Sequence, residues 1–213
     1  VTRDAVYFAD VFGLMYSLNR ETGEENWQVN SKTSGFPGAH HANLVMSSPI
    51  LADGKIIFGG GAYEHALPLN PNYQCCYGRG FVVALDPGSG DVIWKYDVGP
   101  EPEEFDPPIV IEDAYGVHTF HYGPSTSSVW CTPSWEEESN TIFFGTDVHN
   151  SPRRPTEDDP RNYTEHSAAV IAVDAADGNE RWVSQLAAGD VWNHSMVPYD
   201  PETGNYKDRA VGD

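Results

Sequence analysis

Two of the chain's three cysteines, Cys75 and Cys76, are adjacent in the stretch NYQCCYGRGFVVALD, three residues before Arg79. Neighbouring thiols supply one buried and one exposed sulfhydryl, or half of a metal site, and the guanidinium adds a rigid fork of donors for a planar anion. The third, Cys131, follows Trp130 and reads as a small buried hydrophobe. Further on, GDVWNHSM gathers Asp190, Trp192, Asn193 and His194. Asp190 and His194 are able to take a proton, and the histidine's ordinary pKa suits transfer near neutrality, whereas the amide of Asn193 does not act as a base. GTDVHN offers Asp147 and Asn150 as oxygen donors for a hard cation.

The elements that must position these residues repeat. MYSLNRETGEENW, VVALDPGSGDVIW and VIAVDAADGNERW each run through four mostly apolar residues, an Asn or Asp, three residues, a Gly, three residues and a Trp. The pattern is a hairpin. Asn19, Asp86 and Asp174 bond their own turn backbone, Gly23, Gly90 and Gly178 supply positive φ, and Trp27, Trp94 and Trp182 open the return strand with a large side chain to bury. Ahead of each stands a strand rich in β-branched and aromatic residues: AVYFAD, KIIFGG and TIFFGT. No segment holds a helical period for long. The chain is therefore expected to be all-β, a β-propeller of four-stranded antiparallel blades, with edges left open in a partial ring. The repeat cores lie near residues 5–30, 46–98 and 129–186 of a single partial domain over 1–213.

The tryptophans stand 67 and 88 residues apart, more than the roughly 40 to 50 of a plain blade. The excess lies in two insertions, GAYEHALPLNPNYQCCYGRG and DVHNSPRRPTEDDPRNYTEHS, and in a Pro-rich linker, VGPEPEEFDPPIVIEDAYGVHTFHYGPSTSS. Loops of this length inside a repeat array are functional or disordered, and all three precede a repeat strand, which would gather them on one face. The chain carries 12 Lys+Arg against 32 Asp+Glu, a formal charge of −20. That balance argues against a nucleic-acid partner, since phosphate binding needs clustered basic residues. No apolar run approaches the roughly 18 residues of a membrane span. The opening VTRDAVYFAD already reads as a strand, so we expect a fragment of a longer protein.

The repeat resembles that of the pyrroloquinoline quinone (PQQ) dehydrogenase propellers. CCYGRG is similar to the vicinal cysteine pair of quinoprotein alcohol dehydrogenases, more closely to that of polyvinyl-alcohol dehydrogenases, and GPSTSSVWCTPSWEEESNTIFFGT resembles a segment of the same enzymes. The resemblance implies about three to four blades of a ring of about seven or eight. It implies that Cys75 and Cys76 form a ring between adjacent residues against one face of the quinone and that Trp130 stacks on the other. Arg79 would pair with a cofactor carboxylate or quinone oxygen, and Ser128 would hold the cofactor through its hydroxyl. A flat polyanion wants aromatic and sulfur contacts above and below and a cationic fork at its edge.

Relatives use an Asp-x-Trp-Asp element as the base and Ca²⁺ bound by Glu, Asn and the cofactor. Here Asn193 replaces the second acid, which leaves Asp190, His194 or a residue outside the chain as base, and Asp147 or Asn150 as metal ligand. His40 and His41 resemble a polar stretch of the same enzymes. The implied activity is PQQ-dependent oxidation of an alcohol, with a secondary or polymeric one as the candidate, and with electrons passed to a cytochrome. No Cys-x-x-Cys-His occurs, so a haem c domain would lie elsewhere. An oxidised pair implies a periplasmic or secreted location. The alternative is a non-catalytic propeller acting as an interaction scaffold; a sugar quinoprotein fits less well, since those generally lack the cysteine pair.

Overall fold

The computed structural model describes residues 1–70, 72–113, 116–150, 165–190, 192, 199–200 and 205–206. Strands β1 (Ala5–Ala9), β2 (Leu14–Asn19) and β3 (Glu25–Asn30) form a three-stranded antiparallel meander. In the second sheet β4 (Asn43–Leu44) and β5 (Ile50–Ala52) both pair with β6 (Lys55–Ala62), followed by β7 (Phe81–Leu85) and β8 (Val92–Asp97). A hairpin of β9 (Glu103–Asp113) and β10 (Gly116–Gly123) comes next, then a four-stranded sheet of β11 (Ser134–Glu136), β12 (Thr141–Gly145), β13 (Ala169–Asp174) and β14 (Glu180–Gln185). A short pair, β15 (Tyr199–Asp200) and β16 (Asn205–Tyr206), ends the described residues. Among the described residues the fold is all-β apart from one 3-10 helix, Tyr63–Leu69. The four-stranded blade is met in the third sheet, exceeded by β4 in the second, and one strand short in the first. No helix among the described residues is long and apolar enough to cross a membrane.

The three hairpins close as their sequences dictate. Asn19 Oδ1 accepts from the N–H groups of Glu21 and Thr22, Asp86 Oδ1 from those of Gly88 and Ser89, and Asp174 Oδ1 from that of Ala176. Gly90 and Gly178 take φ of +78° and +75°, where a side chain would be strained. In each sheet the ladder shifts register directly after the tryptophan's pair: Ser17 with Trp27, Ala84 with Trp94, Ala172 with Trp182.

These tryptophans join the sheets. Trp27 donates its indole N–H to the Pro87 carbonyl at 3.0 Å and covers Gly90; Trp94 donates to the Ala175 carbonyl at 3.0 Å and covers Gly178. Strand β7 is buried on both faces, so its residues alternate between two cores. Phe81, Val83 and Leu85 pack with Met15, Trp27 and Phe58 toward the first sheet, and Val82 and Ala84 with Trp94, Ile142 and Ile171 toward the third. Trp182 has no such seat among the described residues and is 45 % exposed, while a Cβ placed on Gly23 would meet nothing within 4 Å. These are the open ends of the array.

The linker departs from its expected character as a loop. Residues 103–123 form the β9–β10 hairpin, in which Ile109–Asp113 pairs with Gly116–Phe120 and Glu103–Glu104 with Tyr122–Gly123. Pro107 and Pro108 fall in the bulge between those two ladders, where no backbone donor is required.

Candidate cofactor site

The first insertion leaves β6, makes the 3-10 turn and returns through Cys75–Arg79 to β7. Cys75 and Cys76 are joined in a disulfide. The hairpin binds their backbone: the N–H groups of His121 and Tyr122 donate to the Cys75 carbonyl at 2.8 and 3.0 Å, and Cys76 N–H donates to the Tyr122 carbonyl at 2.9 Å. Phe105, Ile109 and Phe120 of the hairpin, with Tyr73, pack over the pair, which is 1 % and 0 % exposed.

Beneath it lies Glu64, fully buried and not singled out by the sequence. Its Oε1 accepts from the Tyr73 hydroxyl at 2.7 Å and Tyr77 N–H at 2.9 Å; its Oε2 accepts from Gly78 N–H at 2.5 Å and the Ser125 hydroxyl at 2.8 Å. Burial and the neighbouring carboxylate push the Tyr73 hydroxyl well above its ordinary pKa. The Glu64 carboxylate and the two sulfurs lie within 4.8 Å of one another, but sulfurs bonded to each other present no thiolate to a metal. The only signal for Glu64 in the sequence is that it is the one charged residue in IIFGGGAYEHALPL.

His40 Nδ1 accepts from Ala42 N–H at 3.1 Å, which puts its proton on Nε2, 3.7 Å from Glu64 Oε1. Burial lowers its pKa against the raising influence of Glu64, with His41 lowering it further. Arg79 pairs with Asp97 at 2.8 Å, and Asp97 also receives Lys95. Burial lowers the Lys95 pKa while Asp97 raises it. The Arg79 Nε–H is buried and has no partner among the described residues. A cleft of about 150 Å³ opens here, walled by His40, Tyr77, Arg79, Asp97, Glu101 and Pro102.

The segment Ser125–Trp130 threads from this cluster to a second one. A Cβ on Gly80 would collide with the Ser127 carbonyl, so only glycine allows this approach. Ser128 N–H donates to Asp147 Oδ1 at 2.6 Å, and the Trp130 indole N–H donates to Asp147 Oδ2. Burial raises the Asp147 pKa to about 6; the Trp130 and Ser128 donors oppose it and the charge of Asp190 adds to it. His149 N–H donates to the Asp190 carbonyl at 3.1 Å and the His149 carbonyl accepts from Trp192 N–H at 2.8 Å, so these bonds hold Asp190 and Trp192 beside the segment that carries Asp147. Burial drives the His149 pKa down to about 3.

The structure thus brings Ser128, Trp130 and Asp147 together, sets Asp190 near them, and buries Asn150 three residues on. Cys75, Cys76 and Arg79 belong to the first cluster. Asn193 and His194 lie outside the described residues. Trp130 is half-buried against Asp147, and the contacts of the cysteine pair are with the hairpin. Cys131, expected to be buried, is exposed, and its sulfur accepts from Gly145 N–H at 3.2 Å. It lies just ahead of β11, the outermost strand of its sheet, where the sulfur meets backbone rather than a core.

The residues fit a polyanionic planar group at its edge: Arg79 Nε and the Ser127 hydroxyl are buried donors without partners among the described residues, and Arg79 lines an open cleft. Asp147 feels the charge of Asp190, a repulsion that a hard cation beside it would relieve, and Asn150 offers an amide oxygen three residues on.

A profile described as the PQQ "Glucose/ethanol/alcohol dehydrogenase, beta-propeller domain" matches residues 33–202. The chain belongs to this PQQ β-propeller family. It is 28 % identical over 193 residues to the polyvinylalcohol dehydrogenase of Sphingopyxis sp. (strain 113P3), covering 88 % of this chain and 26 % of that one. It is 23 % identical over 199 residues to the quinohemoprotein alcohol dehydrogenase ADH IIB of Pseudomonas putida, covering 91 % and 26 %. The crystal structure of quinohemoprotein alcohol dehydrogenase from Comamonas testosteroni superposes with a TM-score of 0.63 at 20 % identity, covering 91 % and 27 %. The fold is therefore a PQQ-type propeller, and the chain spans about a quarter of the length of these relatives.

Proposed function

We propose that the protein to which this chain belongs oxidises an alcohol with PQQ and passes the electrons to a cytochrome or similar acceptor, in the periplasm or outside the cell. The observation that carries the reading is the joined Cys75–Cys76 pair followed by Arg79, whose Nε has no partner among the described residues, on a propeller of the PQQ family. When bound, the quinone supplies a two-electron acceptor for the alcohol carbon. Arg79 would hold a carboxylate of that group in the cleft, its other arm fixed by Asp97. Trp130, oriented by its bond to Asp147, would offer a ring face, and Ser128 a hydroxyl. Asp147 and Asn150 would hold Ca²⁺. Asp190 or His194 would take the hydroxyl proton, since Asn193 does not accept one. The β9–β10 hairpin keeps water from the disulfide. A secondary or polymeric alcohol is the proposed substrate, supported by the similarity to polyvinylalcohol dehydrogenases.

Reconstitution of the full-length protein with PQQ and Ca²⁺, followed by dye reduction with primary, secondary and polymeric alcohols, tests this. Alcohol-dependent turnover that requires PQQ is expected; absence of PQQ binding at micromolar concentrations overturns it. The second reading, a non-catalytic scaffold, draws on Asn193 and on the cover that the hairpin gives the disulfide. It expects no quinone absorbance in the purified protein and no loss of partner binding in Cys75→Ser or Cys76→Ser.

A further inference from the structure

Glu64 is a buried carboxylate whose two oxygens are both filled. Oε1 takes the Tyr73 hydroxyl and Tyr77 N–H, and Oε2 takes Gly78 N–H and the Ser125 hydroxyl. Among the described residues the ionisable nitrogen that approaches it is His40 Nε2 at 3.7 Å, and burial keeps that ring toward its neutral form. Burying an anion without a cation is costly unless several donors compensate it. The donors here come from three separate segments: the return of the insertion, the Cys-Cys-Tyr-Gly-Arg turn itself, and the extended segment that leads to Ser128 and Trp130. Two are backbone N–H groups, at Tyr77 and Gly78, the residues between the disulfide and Arg79.

We propose that Glu64 is a positioning residue of the cofactor site: its carboxylate sets the Cys75–Arg79 turn and registers that turn against the Ser125–Trp130 segment. The geometry excludes glutamine as an equivalent. Each oxygen receives one hydroxyl, which could turn and accept, and one backbone N–H, which cannot, so either orientation of a glutamine amide points an NH₂ group at a backbone donor. Removing Glu64 should therefore move the disulfide and Arg79 relative to Trp130, while the sheets, which are joined by the tryptophan seams, keep their packing. The consequence for PQQ rests on the proposed function; the consequence for the disulfide does not.

The test compares full-length wild type with Glu64→Gln and with Tyr73→Phe, which removes one donor and leaves the anion. Two readouts are taken: the rate at which a phosphine reduces Cys75–Cys76 in cofactor-free protein, and the dissociation constant for PQQ with the absorbance of the bound quinone. Met15→Ala, a change in the seam core, serves as a destabilised control. The expected result in Glu64→Gln is reduction at least about tenfold faster and PQQ binding at least about tenfold weaker with a shifted spectrum, smaller changes in the same direction for Tyr73→Phe, and neither change in Met15→Ala. If Glu64→Gln fails to fold, Tyr73→Phe alone decides. Reduction at the wild-type rate in the folded Glu64 variant, or in Tyr73→Phe, overturns the inference. Equal acceleration in Met15→Ala also overturns it, because loss of stability would then suffice. If wild type binds no PQQ, the proposed function falls while the reduction rates still decide the role of Glu64.

Discussion

Trp27 and Trp94 each bury an indole over the next sheet's turn and donate to one backbone carbonyl there, whereas Glu64 gathers four donors from three segments that share no repeat. At the seams, apolar area removed from water does most of the stabilising, and the single hydrogen bond fixes the angle at which the ring lies. In the loop cluster the insertion and hairpin carry little repeated apolar surface, so order comes from buried polar groups that must all find partners. The difference separates two tasks. The seams hold the sheets together, and the cluster shapes the candidate site.

The largest expected effect that sharpens this comparison is in a made seam. Trp94→Ala removes a ring only 7 % exposed and its bond to Ala175, and should cost about 3–5 kcal/mol in a denaturant titration of the chain. Gly80→Val comes next: the added side chain meets the Ser127 carbonyl, and a loss of about 1–3 kcal/mol is expected, with the Ser125–Trp130 segment displaced and Trp130 fluorescence altered. Third is a pH effect confined to the cluster. The folded pKa of His40 lies below its unfolded value, so the stability associated with its neutral form is present above the unfolded pKa of about 6.5 and falls as the pH drops below it. His40→Gln should lose less stability than wild type on going from pH 7 to pH 5; an equal loss breaks the assignment. The smallest effect is at the open end. Trp182→Ala, at a ring 45 % exposed, should change the stability of this chain by less than about 0.5 kcal/mol, and a loss matching that of Trp94→Ala would erase the distinction between made and open seams.

The seams were legible because they repeat. The Asn or Asp, the Gly four residues on and the Trp four beyond that are a local code, and both the hairpin and the register shift after the Trp follow from it. The cluster was legible only where residue types are distinctive, at Cys75, Cys76, Arg79, Trp130 and Asp147. Glu64 is a lone acid with no spacing to mark it, and its partners are brought near only by the folding of segments as far apart as Tyr73 and Ser125. The β9–β10 hairpin was hidden by Pro107 and Pro108, which read as a loop until the bulge that houses them is seen. Asp97, which turns Arg79, closes β8 as an ordinary strand-end carboxylate and gives no sign in sequence that it faces a guanidinium.

The central claim, that the loop cluster is a PQQ site independent of the seams, is tested most directly by an absorbance titration of the full-length protein with PQQ at saturating Ca²⁺. Saturable one-site binding is expected in wild type, unchanged in Trp182→Ala, and weakened at least about tenfold in Arg79→Ala and in the Cys75→Ser/Cys76→Ser double variant, with the melting temperature of the Arg79 variant near that of wild type. Identical isotherms for wild type, Arg79→Ala and the cysteine variant, or no saturable binding in wild type, would contradict it.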